Sequence, residues 1–425
     1  MNFNRPSRLM LLLSVRFLTM MLVIGIPEWI ASAQDTGGSL GSAAPASPAR
    51  PTTSPQNNAA PSPPSPSSPS TPPRVEQPPQ DFRAAYSRSR LARTPEMFGD
   101  LAAFGQFEFT DGINQLTGPF PAIADSQKFS DNGHALPRDR FFYAFNYYED
   151  ALRYEVDDVI AGIPLAREEL AFARHTIGFE KTFFCGRGSV EFRLPLEQGQ
   201  DYEFNDGVNL LRAEGSRLGN LFIINKWLFI EQCDFALSGG VGFGIPTADS
   251  VTATVDSGFP LDWAIENEAV YIHPFLAAIY TPNEVWFYQA HSQVQIAANG
   301  NPIVISSGAL SSSLGKFNPQ TTASLDLMAG RWLFQDRENR FVRDLAAQVE
   351  LHSTIMLDDP DNIDLDLGGG LMTNLAGIPD DLITNFTAGL HANLSERSNL
   401  RFGFSVPVAN PQFGFETIVQ WNMFY

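Results

Sequence analysis

The chain has 425 residues, with 28 Lys and Arg against 47 Asp and Glu, a net charge of −19. So acidic a chain does not seek nucleic acid or an anionic membrane surface. Past the N-terminus no segment offers the ~18 consecutive apolar residues of a membrane helix, which excludes a helical membrane protein; if a membrane holds this chain, a barrel does.

Arg5 and Arg8 precede an apolar run from Leu9 to Ile26 that Arg16 interrupts, and Ala31, Ser32 and Ala33 follow. This is the pattern of a secretory signal cleaved after Ala33, and Arg16 argues against an uncleaved anchor. Removing Arg5, Arg8, Arg16 and Glu28 leaves 25 basic and 46 acidic residues, a net charge of −21. Residues 34–80 are Pro, Ser, Ala, Thr, Gly and Gln with scarcely a large apolar side chain. Such a segment cannot bury a core and is predicted to be a disordered, partly polyproline II linker, reaching about 145 Å at about 3.1 Å per residue. It reads as a periplasmic tether or as an unselected tail. Residues 81–138 carry Phe98, Leu101, Phe104, Phe107 and Phe109 among turn signals such as Asp111-Gly112 and Asp131-Asn132-Gly133. They read either as a lead-in or as a plug folded into a lumen.

From residue 139 the pattern is regular. Predicted strands fall at about 137–150, 170–184, 188–196, 218–230, 234–245, 265–280, 284–297, 321–334, 342–356, 363–374, 381–394, 399–407 and 413–425. Several alternate with a period of two. In 342–356, Leu345, Ala347, Val349 and Leu351 oppose Asp344, Gln348, Glu350 and His352; in 188–196, Val190, Phe192 and Leu194 oppose Glu191 and Arg193. Short connections (185–187, 231–233, 281–283) alternate with long ones (197–217, 247–264, 298–320), the asymmetry of a membrane barrel with short turns at one rim. Thirteen strands conflict with the even number of such barrels. The fault is expected between 335 and 381, and the expectation is an all-β, antiparallel transmembrane β-barrel of twelve strands, with fourteen as the other even solution.

The last strand carries the most specific signal. Phe413, Phe415, Thr417, Val419, Trp421, Met423 and Tyr425 form a nearly apolar face that ends in aromatic residues. It resembles the closing strand of bacterial outer-membrane β-barrels, in which Val419, Trp421, Met423 and Tyr425 would be the signal read by the barrel-insertion machinery. In its first-strand pattern (PRDRFFYAFNYYED, 137–150), in GFEKTFF (178–184) and in VEFRLPL (190–196), the chain is also similar to porin-like outer-membrane barrel proteins. That resemblance implies fold and outer-membrane placement among lipids, and no substrate.

No nucleophile elbow, Walker loop, His-Glu-x-x-His or Cys-x-x-Cys appears, so no enzyme, cofactor or metal is assigned. The predicted lumen-lining set is Glu191, Arg193, Gln289, His291, Asp326, Glu350, His352, Asp364, Asp366, His391, Arg401 and Glu416, with Arg174 and Glu180 also inward. An open lumen so lined would favour cations; a closed one would hold the same charges as buried pairs. A turn centred on Pro282 would set His273 opposite His291, two imidazoles short of a metal ligand set. The acids from Asp358 to Asp366 do not match calcium-loop spacing. Cys185 and Cys233, both in short turns of an exported chain, are candidates for a disulfide. The expected function is porin-like passage of small solutes or a structural membrane role. Two alternatives compete: a barrel hydrolase using His291, Ser292 and His352, and a secreted β-sandwich binding module. Composition fixes no oligomeric state.

Overall fold

The structure, a computed structural model, describes residues 90–425 apart from 102–105, 111–113, 120–126, 159, 199–201, 206–209, 215–217, 257–259, 308–309, 337–338, 340, 360, 369–370 and 377–381. The expected signal peptide and Pro-rich linker lie outside these residues. In chain order the elements are α1 (Arg90–Arg93), β1 (Gln106–Thr110), β2 (Asn114–Pro119), β3 (Arg140–Asp158), β4 (Ile163–Phe183), β5 (Gly188–Gln198), β6 (Tyr202–Asn205) and β7 (Leu210–Glu214). There follow β8 (Leu221–Glu231), β9 (Phe235–Ile245), β10 (Val251–Asp256), β11 (Pro260–Ile265), β12 (Tyr271–Tyr280), β13 (Trp286–Ala297), β14 (Asn301–Ser307) and β15 (Leu310–Phe317). The chain ends with β16 (Thr322–Gln335), β17 (Asp344–Met356), β18 (Asn362–Gly368), β19 (Leu371–Ala376), β20 (Leu382–Asn393), β21 (Ser398–Ala409) and β22 (Phe415–Phe424).

Twelve of these strands close on themselves, all antiparallel, in the order β3, β22, β21, β20, β17, β16, β13, β12, β9, β8, β5, β4 and back to β3. This is the twelve-stranded barrel expected. The surplus strand was 363–374, which forms the separate hairpin β18–β19 beyond the wall. Alternation sets the two faces, because successive side chains of a strand point oppositely. In β17, Gln348, Glu350, His352 and Thr354 are buried while Val349 and Leu351 are exposed. In β22, Glu416, Ile418, Gln420 and Asn422 are buried, and Met423 faces out. Phe413 departs from the predicted outer face: it is buried against Tyr148 at 5.9 Å, above the wall.

The outer surface of the wall is apolar. Phe192, Phe243, Leu276, Val349, Phe386, Leu390, Phe402, Phe404 and Val406 all stand exposed on it. A patch of this extent is incompatible with water and fits lipid. At the rim bearing the tight turns, Trp227, Tyr280, Trp286, Tyr288 and Tyr425 form an exposed aromatic girdle, the position such residues take at a membrane interface. The wall is that of a transmembrane β-barrel.

The long connections are themselves stranded, which the sequence reading missed. Hairpins β6–β7, β10–β11 and β14–β15 join in a six-stranded sheet. On the other side β18, β19, β1 and β2 continue to the outer part of β3, where Thr117 pairs with Glu155 and Asn114 with Asp158. Lower down, β3 pairs with β22. The hairpin β1–β2 therefore takes the lane above β22, where the connection from β21 is only residues 410–414. Side chains from around this collar, including Tyr148, Phe172, Tyr202, Trp263, Ile303, Phe317 and Phe413, meet in one buried apolar cluster with Leu101. Because its members come from opposite sides of the collar, the cluster lies across the mouth.

Candidate functional site: the occupied lumen

A twelve-stranded barrel is wider than the eight-stranded kind that wall side chains can fill, so its interior must hold water or another part of the chain. Here residues 90–101 and 127–139 occupy it. The first limb starts at the tight-turn rim, where Arg90 and Arg93 approach Glu284 between β12 and β13 at 3.6 and 3.4 Å. It ends at Leu101 in the cluster across the mouth. The second limb returns from Gln127, which donates to the Asn220 carbonyl at 3.4 Å just before β8, to Asp139 beside the terminal residue Tyr425. The limbs bond to each other through Met97 N–H to the Gly133 carbonyl, 2.8 Å.

Three tiers fasten this plug to the wall. Near the tight turns, Glu96 is paired with Arg138 and receives Asn399 Nδ2 at 3.3 Å, while Arg401 donates to the Glu96 carbonyl. Beside it Arg140 donates to Glu180 at 2.9 Å, to Glu191 at 3.1 Å and to the Asn132 carbonyl at 2.8 Å. Registers explain that junction: Arg140 of β3 is paired with Glu180 of β4, and Glu180 with Glu191 of β5. The PRDRFF, GFEKTFF and VEFRLPL stretches are thus one rung of the lumen, completed by Lys226 at 3.0 Å from Glu180.

In the middle tier, Glu350 accepts the backbone N–H of Phe98 at 2.8 Å and of Gly99 at 3.3 Å, and Gln420 Nε2 donates to the Phe98 carbonyl at 2.9 Å. The Phe98 ring lies under the Arg401 guanidinium, 4.2 Å from ring centre to carbon, against the paired glycines Gly389 and Gly403. A Cβ on Gly389 would stand 2.4 Å from that ring, so only glycine leaves the socket open. In the third tier, Lys128 Nζ is 2.6 Å from Asp100 and 3.7 Å from Asp326, Phe129 N–H donates to Gln293 at 2.7 Å, and Arg193 donates to the Lys128 carbonyl at 2.9 Å. Between plug and wall remains a cavity of about 20 Å³, lined by Asp131, Asn146, Tyr148, Arg174, Arg193 and Gln420 among others. That is room for a water or two.

At the tight-turn rim Asp139 accepts from Thr182 N–H and Oγ, both at 2.7 Å. Partial burial would raise its carboxyl, but these bonds and Lys181 hold it below the usual aspartate value. Its contribution is therefore present at neutral pH and lost as the pH falls through that lowered value. In the collar Tyr202 stacks on Tyr154 with ring centres 3.7 Å apart, and burial, with Glu168 nearby, pushes its hydroxyl up to about 12.

The structure puts Glu191, Arg193, Gln289, His291, Asp326, Glu350, His352, His391, Arg401 and Glu416 inside the barrel, all buried. Asp364 is corrected: it is exposed on the collar hairpin β18–β19, accepting from Asn374 at 2.6 Å. Asp366 belongs to the same hairpin, and its side chain lies outside the described residues. The acidic stretch before them serves the loops, since Asp358 accepts from Thr321 N–H at 2.8 Å and Asp361 from Asn318 N–H at 2.9 Å. The expected His273–His291 facing pair is also corrected. The turn centres two residues later, with Tyr280 opposite Tyr288 and Ala277 opposite His291, and His273 lies 2.9 Å from Gln293 instead.

Cys185 and Cys233 are free and exposed, and the predicted disulfide does not form. Cys185 caps the β4–β5 turn and Cys233 the β8–β9 turn. In the order β4, β5, β8, β9 these turns are two strand spacings apart, about 10 Å, beyond the ~7 Å that a bridge spans.

The sequence reading did not assign Glu96, Asp100, Lys128 and Arg138, whose segment has no periodicity to orient them. Lys226 was the recoverable miss: it is the single basic residue within LFIINKWLFIE and is fully buried.

No family model and no curated protein matches this sequence. Among solved structures, the chain is similar to an outer membrane channel from Pseudomonas putida F1 (11% identity, 68% of this chain and 97% of that one, TM-score 0.42). It is also similar to the translocator domain of the autotransporter NalP from Neisseria meningitidis (8% identity, 68% and 89%, TM-score 0.39). A third is the Pseudomonas putida toluene transporter TodX (9% identity, 79% and 93%, TM-score 0.35). The reading of this wall as membrane-spanning stands on its own belt, girdle and turns.

Proposed function

We propose that this chain is an outer-membrane channel held closed at rest by its own N-terminal segment, passing small solutes only when that segment leaves the wall. The tight turns and Tyr425 would face the periplasm, the collar would face outward, and insertion would depend on the barrel-insertion machinery reading β22. The observation that carries the reading is the chemistry of the seam between plug and wall. A filler with a purely structural role gains most from apolar packing, whereas buried ion pairs roughly break even against their desolvation. The polar part of this seam sets Glu96, the Met97 carbonyl, the Phe98 amide and Lys128 of the plug against Arg140, Arg401, Glu350 and Asp326 of the wall, beside apolar contacts of Leu91, Phe129 and Leu136 with Phe222, Ile224 and Phe275 and of Met97 with Phe287. Water entering the lumen can replace the polar bonds, while the apolar contacts of Phe129, Leu136 and Met97 hold the plug in place at rest.

The reading includes no catalysis. Ser292 pairs with Leu276 on the half-exposed outer side of β13, away from His291 and His352. The test is solute flux into liposomes carrying the full chain or Glu350→Ala. A tight full chain and a leaking variant that keeps its heat-modifiable barrel would support the plugged channel. Equal, rapid flux through both would replace it with an open porin.

A further inference from the structure

Where the plug's first limb meets β16 and β17, Asp100, Asp326 and His352 bring one oxygen or nitrogen each to within 4.8 Å of one another, all buried. We propose that these three side chains form a binding site for a divalent transition cation such as Zn²⁺, for which Lys128 is the tethered competitor. The site does not depend on the channel reading.

Geometry comes first. Asp326 Oδ1 lies 2.9 Å and Asp100 Oδ1 3.6 Å from His352 Nδ1. Ligands at about 2.1 Å from a common ion stand roughly 3.0 to 3.4 Å apart in octahedral or tetrahedral sites, so the two spacings to His352 fit closely, and the two carboxylates, within 4.8 Å of each other, would draw in around the ion. The orienting contacts are present as well. Asn385 Nδ2 donates to Asp100 Oδ2 at 2.8 Å, which turns Oδ1 toward the site. Glu350 Oε2 is 3.1 Å from His352 Nε2, which makes no hydrogen bond within the protein, so the carboxylate lies beside the ring on the side away from Nδ1. A separate observation points the same way. His291 is the Cα partner of Asp326 on β13, is 2% exposed, and has neither ring nitrogen hydrogen-bonded within the protein. It stands one strand from Asp326, outside the group of three, and would turn toward it to serve as a fourth ligand.

Lys128 Nζ, 2.6 Å from Asp100 Oδ1 and 3.7 Å from Asp326 Oδ1, occupies the place of the cation in this structure. One ammonium opposes two carboxylates, whereas a dication balances both. Two carboxylates with one imidazole suit Zn²⁺, Co²⁺ or Mn²⁺. Because Lys128 lies on the returning limb, its replacement by a metal would free that limb from Asp100 and Asp326 while tying the first limb to the wall.

The test uses the full chain in detergent with Cys185 and Cys233 changed to Ser, which removes the thiols as adventitious ligands. Co²⁺ is titrated while its visible absorption is recorded, followed by competition with Zn²⁺, and heat-modifiability reports folding. One equivalent should bind, Asp326→Asn and His352→Gln should abolish it, and Lys128→Met should tighten it at least tenfold. Absence of stoichiometric binding, or binding unaffected by Asp326→Asn and His352→Gln, would overturn the proposal. Binding seen only in Lys128→Met would also overturn it, by showing that the ammonium holds the site permanently.

Discussion

Phe98 is the residue on which the plug turns. Its ring needs Gly389 and Gly403 on facing strands, its N–H needs Glu350, and its carbonyl needs Gln420. Gly403→Val puts carbon against the ring, whose atoms are the nearest that a side chain there would meet, while leaving the lumen charges intact. The expected outcome is a barrel that still migrates as a heat-modifiable band but whose segment 90–139 has become protease-sensitive. Unchanged protection would contradict the socket. Glu350→Ala strands the backbone N–H groups of Phe98 and Gly99, and a buried unsatisfied group costs about 1–3 kcal/mol. It should lower the thermal unfolding midpoint, with Glu350→Gln intermediate because its one carbonyl oxygen still accepts; equal midpoints for all three would contradict these contacts. Glutamate 350 was legible in the sequence as inward-facing because β17 alternates cleanly. Phe98 and Lys128 were not, because a plug has no period and its side chains take their directions from the wall.

The closing strand β22 joins β21 to β3, and residues Trp421 to Phe424 pair with Tyr143 to Arg140 at the tight-turn rim. Deleting Trp421 to Tyr425 unzips that seam as well as removing the aromatic terminus. The shortened chain should fail to give a heat-modifiable band in the membrane fraction, and normal accumulation there would contradict the role given to this strand. The two free cysteines supply a simpler check: alkylation under denaturing, non-reducing conditions should modify both Cys185 and Cys233, and blocked thiols would require the turns to approach. Wall strands were legible because lipid on one side and polar groups on the other force a period of two. The collar hairpins were not. Val251 to Asp256 alternates as well as some wall strands, but it sits in a long connection whose length alone suggested a loop. The thirteenth strand arose from the same confusion, since Asn362 to Ala376 is a hairpin outside the wall.

At the scale of the whole molecule, the chain enters its own barrel twice before building it. Residues 90–101 cross toward the mouth, β1 and β2 complete the collar, and residues 127–139 return to the rim where β3 begins. The mouth is covered by an apolar cluster, and in the lumen charges that pair across the seam lie beside apolar contacts of Leu91, Met97, Phe129 and Leu136 with the wall. Of the acids read from sequence as a negative pore, Glu180, Glu191 and Asp326 are counterions of Arg140, Arg193, Lys226 and Lys128, and Glu350 and Glu416 accept from amides. Apolar exterior, filled interior and anchored plug together describe a barrel closed by its own N-terminal segment. The most direct test is planar-bilayer conductance of the full chain beside a chain lacking residues 90–136, both verified by heat-modifiability. The account predicts no steady current through the full chain and discrete, lasting openings through the deletion. Openings of the same size in both would contradict it, because the segment would then not be what fills the lumen.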